Sequence, residues 1–198
     1  MRGLNETLTE AAARHGDRLV LLCSFQKEES VLLDELLRVP HGREARIVTI
    51  DTGVLFPETL ATWRMFEERF GVNVDVEDAT GAWTGPENCC SAAKVAALER
   101  ALDGAEGWIT GIRREQGPTR ADAELIERDP KRGIWKYNPL AHWTDKDLWT
   151  RISERGLPYH PLHDQGYESI GCATCTNPGS GREGRWAGTA KTECGLHV

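Results

Sequence analysis

The sequence predicts a three-layer α/β fold, a parallel sheet covered by helices, on three observations. Short apolar runs alternate with amphipathic stretches in β-α-β order, the first two runs are apolar almost throughout, and no repeat or low-complexity segment interrupts the progression. Taken in order, "RLVLLCS" (18–24) and "ARIVTID" (45–51) have the character of strands buried on both faces, and "VNVDVED" (72–78) and "GWITG" (107–111) continue the series. Between them "EESVLLDELLR" (28–38) and "PETLATWRMFEERF" (57–70) read as helices, the second opened by a proline in its first turn. A further helix is expected from about Cys89 to Leu102, capped by Asn88, and another from Asp145 to Glu154. From Gly171 the composition turns to Gly, Pro, Thr and Arg without periodicity. The expected organisation is therefore an α/β body over 1–170 and a loop and mobile C-terminal tail over 171–198, within one structural domain.

The 198 residues are 39% hydrophobic and 28% charged, which describes a soluble globular chain and excludes a disordered or membrane-spanning one. "MRGLNETLTEAAARHGDRLV" has no apolar core of the secretory type, so the expected location is cytoplasmic. There six cysteines stay reduced, and metal binding or catalysis outranks disulfide bonding. A net charge of −7 argues against nucleic acid bound through a broad basic surface. The acidity is uneven: residues 1–80 carry 9 Lys and Arg against 15 Asp and Glu, and the remainder 15 against 16. The second part, with Arg113, Arg114, Arg120, Arg182, Arg185 and Lys191, is the expected home of a small anion.

In parallel sheets ligands bind beyond the C-terminal strand ends, which places Ser24, Phe25, Gln26, Lys27 and Glu28, with Asp51, Thr52 and Gly53, in one crevice. Five cysteines form three groups: adjacent Cys89 and Cys90, the Cys172-Ala-Thr-Cys175 motif, and lone Cys194, four residues before the last. Four thiolates from two clusters suit zinc or an iron–sulfur cube, and spacing alone leaves both open beside unligated thiols or a redox disulfide. Cys23, inside an apolar run, reads as a small buried hydrophobe.

"SFQKEES", "IDTGVLFPET", Cys89-Cys90-Ser-Ala-Ala-Lys94, "GIRREQGPTR" (111–120), "NPLAHWT" (138–144), "GCATC" (171–175), "REGRW" (182–186) and "KTECGLH" (191–197) run along nearly the whole chain. In this order they resemble the assimilatory sulfonucleotide reductases of the PAPS/APS reductase family, specifically the iron–sulfur type that reduces adenylyl sulfate (APS). The resemblance implies a Rossmann-like, adenine nucleotide α-hydrolase-like fold, and reduction of APS to sulfite and AMP at the expense of reduced thioredoxin or a glutaredoxin-like donor. It implies that Cys194 attacks the sulfate sulfur to form an S-sulfocysteine, and that Cys89, Cys90, Cys172 and Cys175 hold a 4Fe-4S cluster of structural and electrostatic use. Lys94 is expected between cluster and substrate, and Arg182, Arg185 and His197 at the phosphosulfate. Ser24, Phe25, Gln26, Lys27, Asp51, Thr52 and Gly53 are expected at the adenosine, with Arg113 and Arg120 nearby.

"SFQKEES" departs from the glycine-rich loop of pyrophosphatase relatives. It brings Glu28 and Glu29 where a triphosphate would need backbone donors, which disfavours ATP chemistry. The alternatives are a reductase of PAPS or of both sulfonucleotides, and a non-enzymatic zinc-stapled nucleotide-binding module, which would have no use for Cys194. No membrane or nucleic-acid partner is expected, and a homo-oligomer is left open. "DTG" at 51–53 follows a parallel strand and lacks the paired carboxylates of an aspartic protease. His160-Pro-Leu-His163-Asp164 reads as an ordinary loop, Trp63, Phe66 and Phe70 as core, and Lys131-Arg132 as a solvated turn.

Overall fold

The structure is a computed structural model that describes residues 3–81, 83, 85, 92–187, 189, 191 and 193. An opening helix α1 (Leu4–His15) leads into strand β1 (Leu19–Leu22), followed by α2 (Lys27–Leu36), β2 (Arg46–Asp51), α3 (Pro57–Phe70) and β3 (Asp75–Asp78). Then come α4 (Ala92–Ala101), β4 (Gly107–Ile109), β5 (Ile126–Arg128), β6 (Trp135–Tyr137) and α5 (Asp145–Arg155). Among the described residues the strands form one sheet of order β3-β2-β1-β4-β6-β5, parallel except for β5, which pairs antiparallel with β6 at the edge.

Helix ends follow local chemistry. Pro57 opens α3, and Gly71, in the left-handed region at φ 61°, donates its N–H to the Glu67 carbonyl and ends it. α5 starts on a capping box: the Thr144 hydroxyl accepts from Asp147 N at 3.2 Å while Asp147 Oδ2 accepts from Thr144 N at 2.8 Å.

Alternation along the strands separates two cores. Leu19 and Leu21 of β1, with Ile47, Ile109 and Tyr137, face α1, α2, α3 and α5. Val20, Val48, Ile50 and Trp108 face α4 and a C-terminal segment that contributes Cys172, Cys175 and Trp186. The stretch after Gly171 thus supplies buried residues to the second core.

Phe25 stacks on Trp63 at 5.5 Å between ring centroids and meets Phe66 edge-on, so the aromatics of α3 are core. Cys23 is buried too, and burial pushes its thiol pKa well up. His160 is held inside a loop: Leu162 N–H donates to Nδ1 at 3.3 Å, leaving Nε2–H to donate to Thr59 Oγ1 at 2.9 Å. Burial, and then the charge of His163, push that imidazole down to about 4. The solvated-turn expectation fails at Arg132. Its mostly covered side chain pairs with Asp129 at 2.8 Å and Glu99 at 2.6 Å, tying the turn before β6 to α4.

Candidate active site

β1 is flanked by β2 on one side and β4 on the other, so the order of the chain through the sheet reverses there. At such a switch point the loops leaving neighbouring strands diverge and open a crevice. The crevice found there has an empty volume of about 1050 Å³, partly open to solvent. Its floor is Leu22, Ile50, Leu55, Thr110 and Ile112, and Lys94, Arg120, Arg182 and Arg185 bring four cations to its wall. The apolar floor suits a flat ring system and the cations suit a small polyanion.

The turn from β1 into α2 is held by side chains instead of glycines. Gln26 accepts from Ile170 N at 2.7 Å and donates to Ser24 Oγ at 3.0 Å, joining the turn to the C-terminal segment. Glu29 Oε2 accepts from Ser24 Oγ at 3.0 Å and from Gln26 N at 3.1 Å. Burial, and then the adjacent charge of Glu28, push the Glu29 carboxyl up to about 8. Glu28 accepts from Arg113 Nε and from Gln116 Nε2, each at 3.0 Å. One carboxyl is thus held toward its neutral form and the other is paired with a guanidinium. Gly111 makes this packing feasible, because a Cβ there would lie 2.6 Å from Glu29 Oε1.

The opposite wall is organised by Trp186, buried and in the left-handed region at φ 53°. Its backbone N–H donates to the Cys175 carbonyl at 2.9 Å. The guanidinium carbons of Arg185 and Arg182 lie 4.6 and 5.3 Å from its ring centroid, and the Lys191 ammonium 5.7 Å. Arg185 Nη1 donates to Ser169 Oγ at 3.2 Å and to the Ile170 carbonyl at 3.1 Å, while its buried Nε has no partner among the described residues. Gly171 is the cradle of that guanidinium: a Cβ at 171 would lie 2.3 Å from Arg185 Nη2.

Arg120 meets Glu193 at two points, Nε to Oε2 at 2.8 Å and Nη2 to Oε1 at 2.9 Å. Arg182 Nη2 adds 2.6 Å to Oε1, and Thr119 Oγ1 3.1 Å to Oε2. The residue that precedes Cys194 in the chain is therefore docked on two of the crevice's cations.

Cys172 and Cys175 flank a 3-10 turn and are both buried. The Thr52 hydroxyl lies 3.2 Å from Cys172 Sγ, and Cys172 lines the same crevice as Lys94. Two soft donors on one turn, under a polar group and close to a cation, fit half of a thiolate cluster site. Among the described residues, no group of three or more His, Cys, Asp or Glu is placed to hold a metal ion. Cys89 and Cys90, the other two expected ligands, lie outside the described residues, as do Cys194 and His197.

The expected site residues divide accordingly. Ser24, Phe25, Gln26, Lys94, Arg120, Arg182 and Arg185 line the crevice. Lys27 does not line it, because its buried ammonium pairs with Asp145 at 2.7 Å and donates to the Glu168 carbonyl at 3.3 Å. Arg113 is likewise absent from the lining and serves Glu28, Glu115 and Asp145. Asp51 turns back on its own loop, accepting from Gly53 N at 2.8 Å, and Thr52 faces Cys172 instead of the crevice. Glu193 and Trp186 carry no site signal in the sequence beyond standing inside the motifs "KTECGLH" and "REGRW".

Comparison with known proteins agrees with this geometry. The profile of the phosphoadenosine phosphosulfate reductase domain matches residues 18–178. An adenosine 5'-phosphosulfate reductase of Bacillus pumilus is 44% identical, covering 99% of this chain and 91% of that one. A phosphoadenosine 5'-phosphosulfate reductase of Gloeobacter violaceus is 43% identical over 96% of this chain and 87% of its own. Among solved structures, the phosphoadenylyl-sulfate reductase of Candida auris, in a phosphate complex, superposes with a TM-score of 0.73 at 25% identity, covering 88% and 90% of the two chains. The FMN adenylyltransferase of Candida glabrata shares the fold, with a TM-score of 0.66 at 16% identity over 90% of this chain and 66% of that one. With a matching profile over most of its length and relatives above 40% identity along nearly all of it, the chain belongs to the phosphoadenosine phosphosulfate reductase domain family.

Proposed function

We propose that this protein reduces APS to sulfite and AMP, using Cys194 as nucleophile and a dithiol protein of the thioredoxin or glutaredoxin type as reductant, in sulfate assimilation in the cytoplasm. The observation that carries this reading is the docking of Glu193, the neighbour of Cys194, on Arg120 and Arg182 in a crevice with four cations.

In this reading the adenosine lies over the apolar floor between Phe25, Ile50 and Ile112, and the phosphosulfate meets Arg185, Arg182 and Lys94; His197, outside the described residues, is the further donor that the sequence resemblance implies. Cations near a thiol favour the thiolate that such an attack needs, and the same charges would spread the charge on the leaving phosphate. The thiolate forms a bond to the sulfate sulfur as the bond from that sulfur to the bridging oxygen breaks, and AMP leaves with the electron pair. A thiolate of the reductant then attacks the Cys194 sulfur and expels sulfite. The second thiol of the reductant displaces Cys194 and leaves the reductant as a disulfide, so its two electrons account for the reduction. A 4Fe-4S cluster held by Cys89, Cys90, Cys172 and Cys175 would supply a fixed charge and a structural tie beneath the site. Thr52, 3.2 Å from Cys172 Sγ, and Lys94, which lines the same crevice as Cys172, would be among its neighbours.

Anaerobically purified protein with reduced thioredoxin should release sulfite from APS faster than from PAPS. Cys194→Ser should bind APS and release none. Faster turnover of PAPS would move the assignment to the alternative substrate, and sulfite from Cys194→Ser at the parent rate would remove Cys194 as nucleophile.

A further inference from the structure

We propose that Glu193 is a positioning residue for sulfur transfer: by docking on Arg120, Arg182 and Thr119, its carboxylate anchors the segment that carries the nucleophile against the cationic wall of the crevice. The inference rests on the reading that Cys194 attacks the sulfonucleotide.

Three features of the contact support it. Both carboxylate oxygens are satisfied, each by two donors, in the two-point geometry that fixes direction as well as distance. Arg120 and Glu193 are both nearly buried, at 8% and 7% side-chain exposure, so the pair is sheltered from the screening that makes surface ion pairs weak. It also joins residues 73 positions apart, from the loop after β4 to the tail.

The chemistry gives the carboxylate a reason to be held this way. A carboxylate beside a reactive cysteine disfavours the thiolate and slows its attack. Two arginines that neutralise it remove that penalty and turn the side chain into an anchor. Arg185 is not engaged by Glu193: it stays in place on Trp186, with its Nε without a partner among the described residues. Tail and sulfonucleotide can therefore occupy the crevice together.

The test uses the cluster-loaded enzyme in a single turnover without reductant, measuring S-sulfonation of the tail peptide by mass spectrometry. Glu193→Gln keeps the shape and removes the charge. At saturating APS it should slow sulfonation about 10- to 100-fold, the loss of a buried charged contact, while the dissociation constant for AMP stays within about threefold of the parent. Without ligand, Cys194 of the variant should react faster with iodoacetamide. Glu193→Asp should recover part of the sulfonation rate. Sulfonation of Glu193→Gln at the parent rate would overturn the assignment. So would tighter AMP binding with unchanged sulfonation, which would make the carboxylate a mere competitor of the ligand. Failure of the underlying reading looks different, because Cys194→Ser would then still support sulfite release whatever Glu193 does.

Discussion

Arg113 Nε donates to Glu28 Oε1 at 3.0 Å with both side chains almost wholly buried. The same guanidinium reaches Glu115 at 2.8 Å and Asp145 at 3.1 Å. A basic residue just past a strand end had every outward mark of a substrate contact, and it proves to be the counter-charge that lets an acidic first turn of α2 stand beside the crevice.

Removing that counter-charge should therefore harm the fold before it harms binding. Arg113→Met, similar in volume, strands the Glu28 carboxylate and should cost about 3–5 kcal/mol in urea unfolding, with Glu28→Gln in the same chain restoring a large part. An unchanged midpoint accompanied by weaker APS binding would return Arg113 to the substrate.

Glu29 gives stability a direction in pH. Its carboxyl is pushed up to about 8 in the native state and titrates near its ordinary value of 4.5 when unfolded. Between those values the native state holds a proton that the unfolded chain has released, so this contribution is intact below the window and is lost as pH rises through it, by at most about 1.4 kcal/mol per unit. Glu29→Gln should flatten the fall in urea midpoint from pH 5.5 to 8.5, and a variant with the parent's slope would clear Glu29 of responsibility.

Gly171→Ala removes no charge, yet its Cβ would take the space of Arg185 Nη2. Cζ at 2.5 Å and Nε at 2.9 Å are crowded as well, so the guanidinium must give up Ser169 and Ile170: the melting temperature should fall by a few degrees while the KM for APS rises about tenfold, as for one lost charged hydrogen bond. A KM equal to the parent's would show that the orientation of Arg185 is immaterial.

Iron should follow the cysteines in the order that their surroundings suggest. Anaerobic protein should carry about four irons and four sulfides per chain, and Cys172→Ser or Cys175→Ser should lose most of both. Cys23→Ser, altering a thiol buried in the other core, should keep them. Colourless, zinc-loaded parent protein would end the cluster assignment.

Legibility of the sequence tracked the distance over which each feature is decided. α3 was readable to the residue because Pro57 and Gly71 set both its ends locally. β5 and β6 are three residues each and, unlike the equally short but apolar β4, carry charges at Glu127, Arg128 and Lys136, so nothing in them reads as a strand. α1 left a weak signal in Leu4, Leu8, Ala11 and Ala12, whose small side chains dilute the apolar stripe. In the site, motifs located the right segments but could not apportion their charges. Lys27 finds Asp145 and Arg113 finds Glu28 across long stretches of chain, and no local pattern tells a neutralised cation from an available one. Glu193 was hidden for the same reason, since its meaning lies in Arg120 and not in its neighbours.

Trp186 carries a thermodynamic consequence for binding. An arginine on an exposed loop must surrender the rotational freedom of a long side chain when an anion arrives, which subtracts on the order of 0.5–1.5 kcal/mol from affinity. Arg182 and Arg185 already lie against one indole ring, so that freedom has gone by the time the chain has folded. The tryptophan converts an entropy loss on binding into one on folding, and the crevice meets its ligand with half of its cations already stilled.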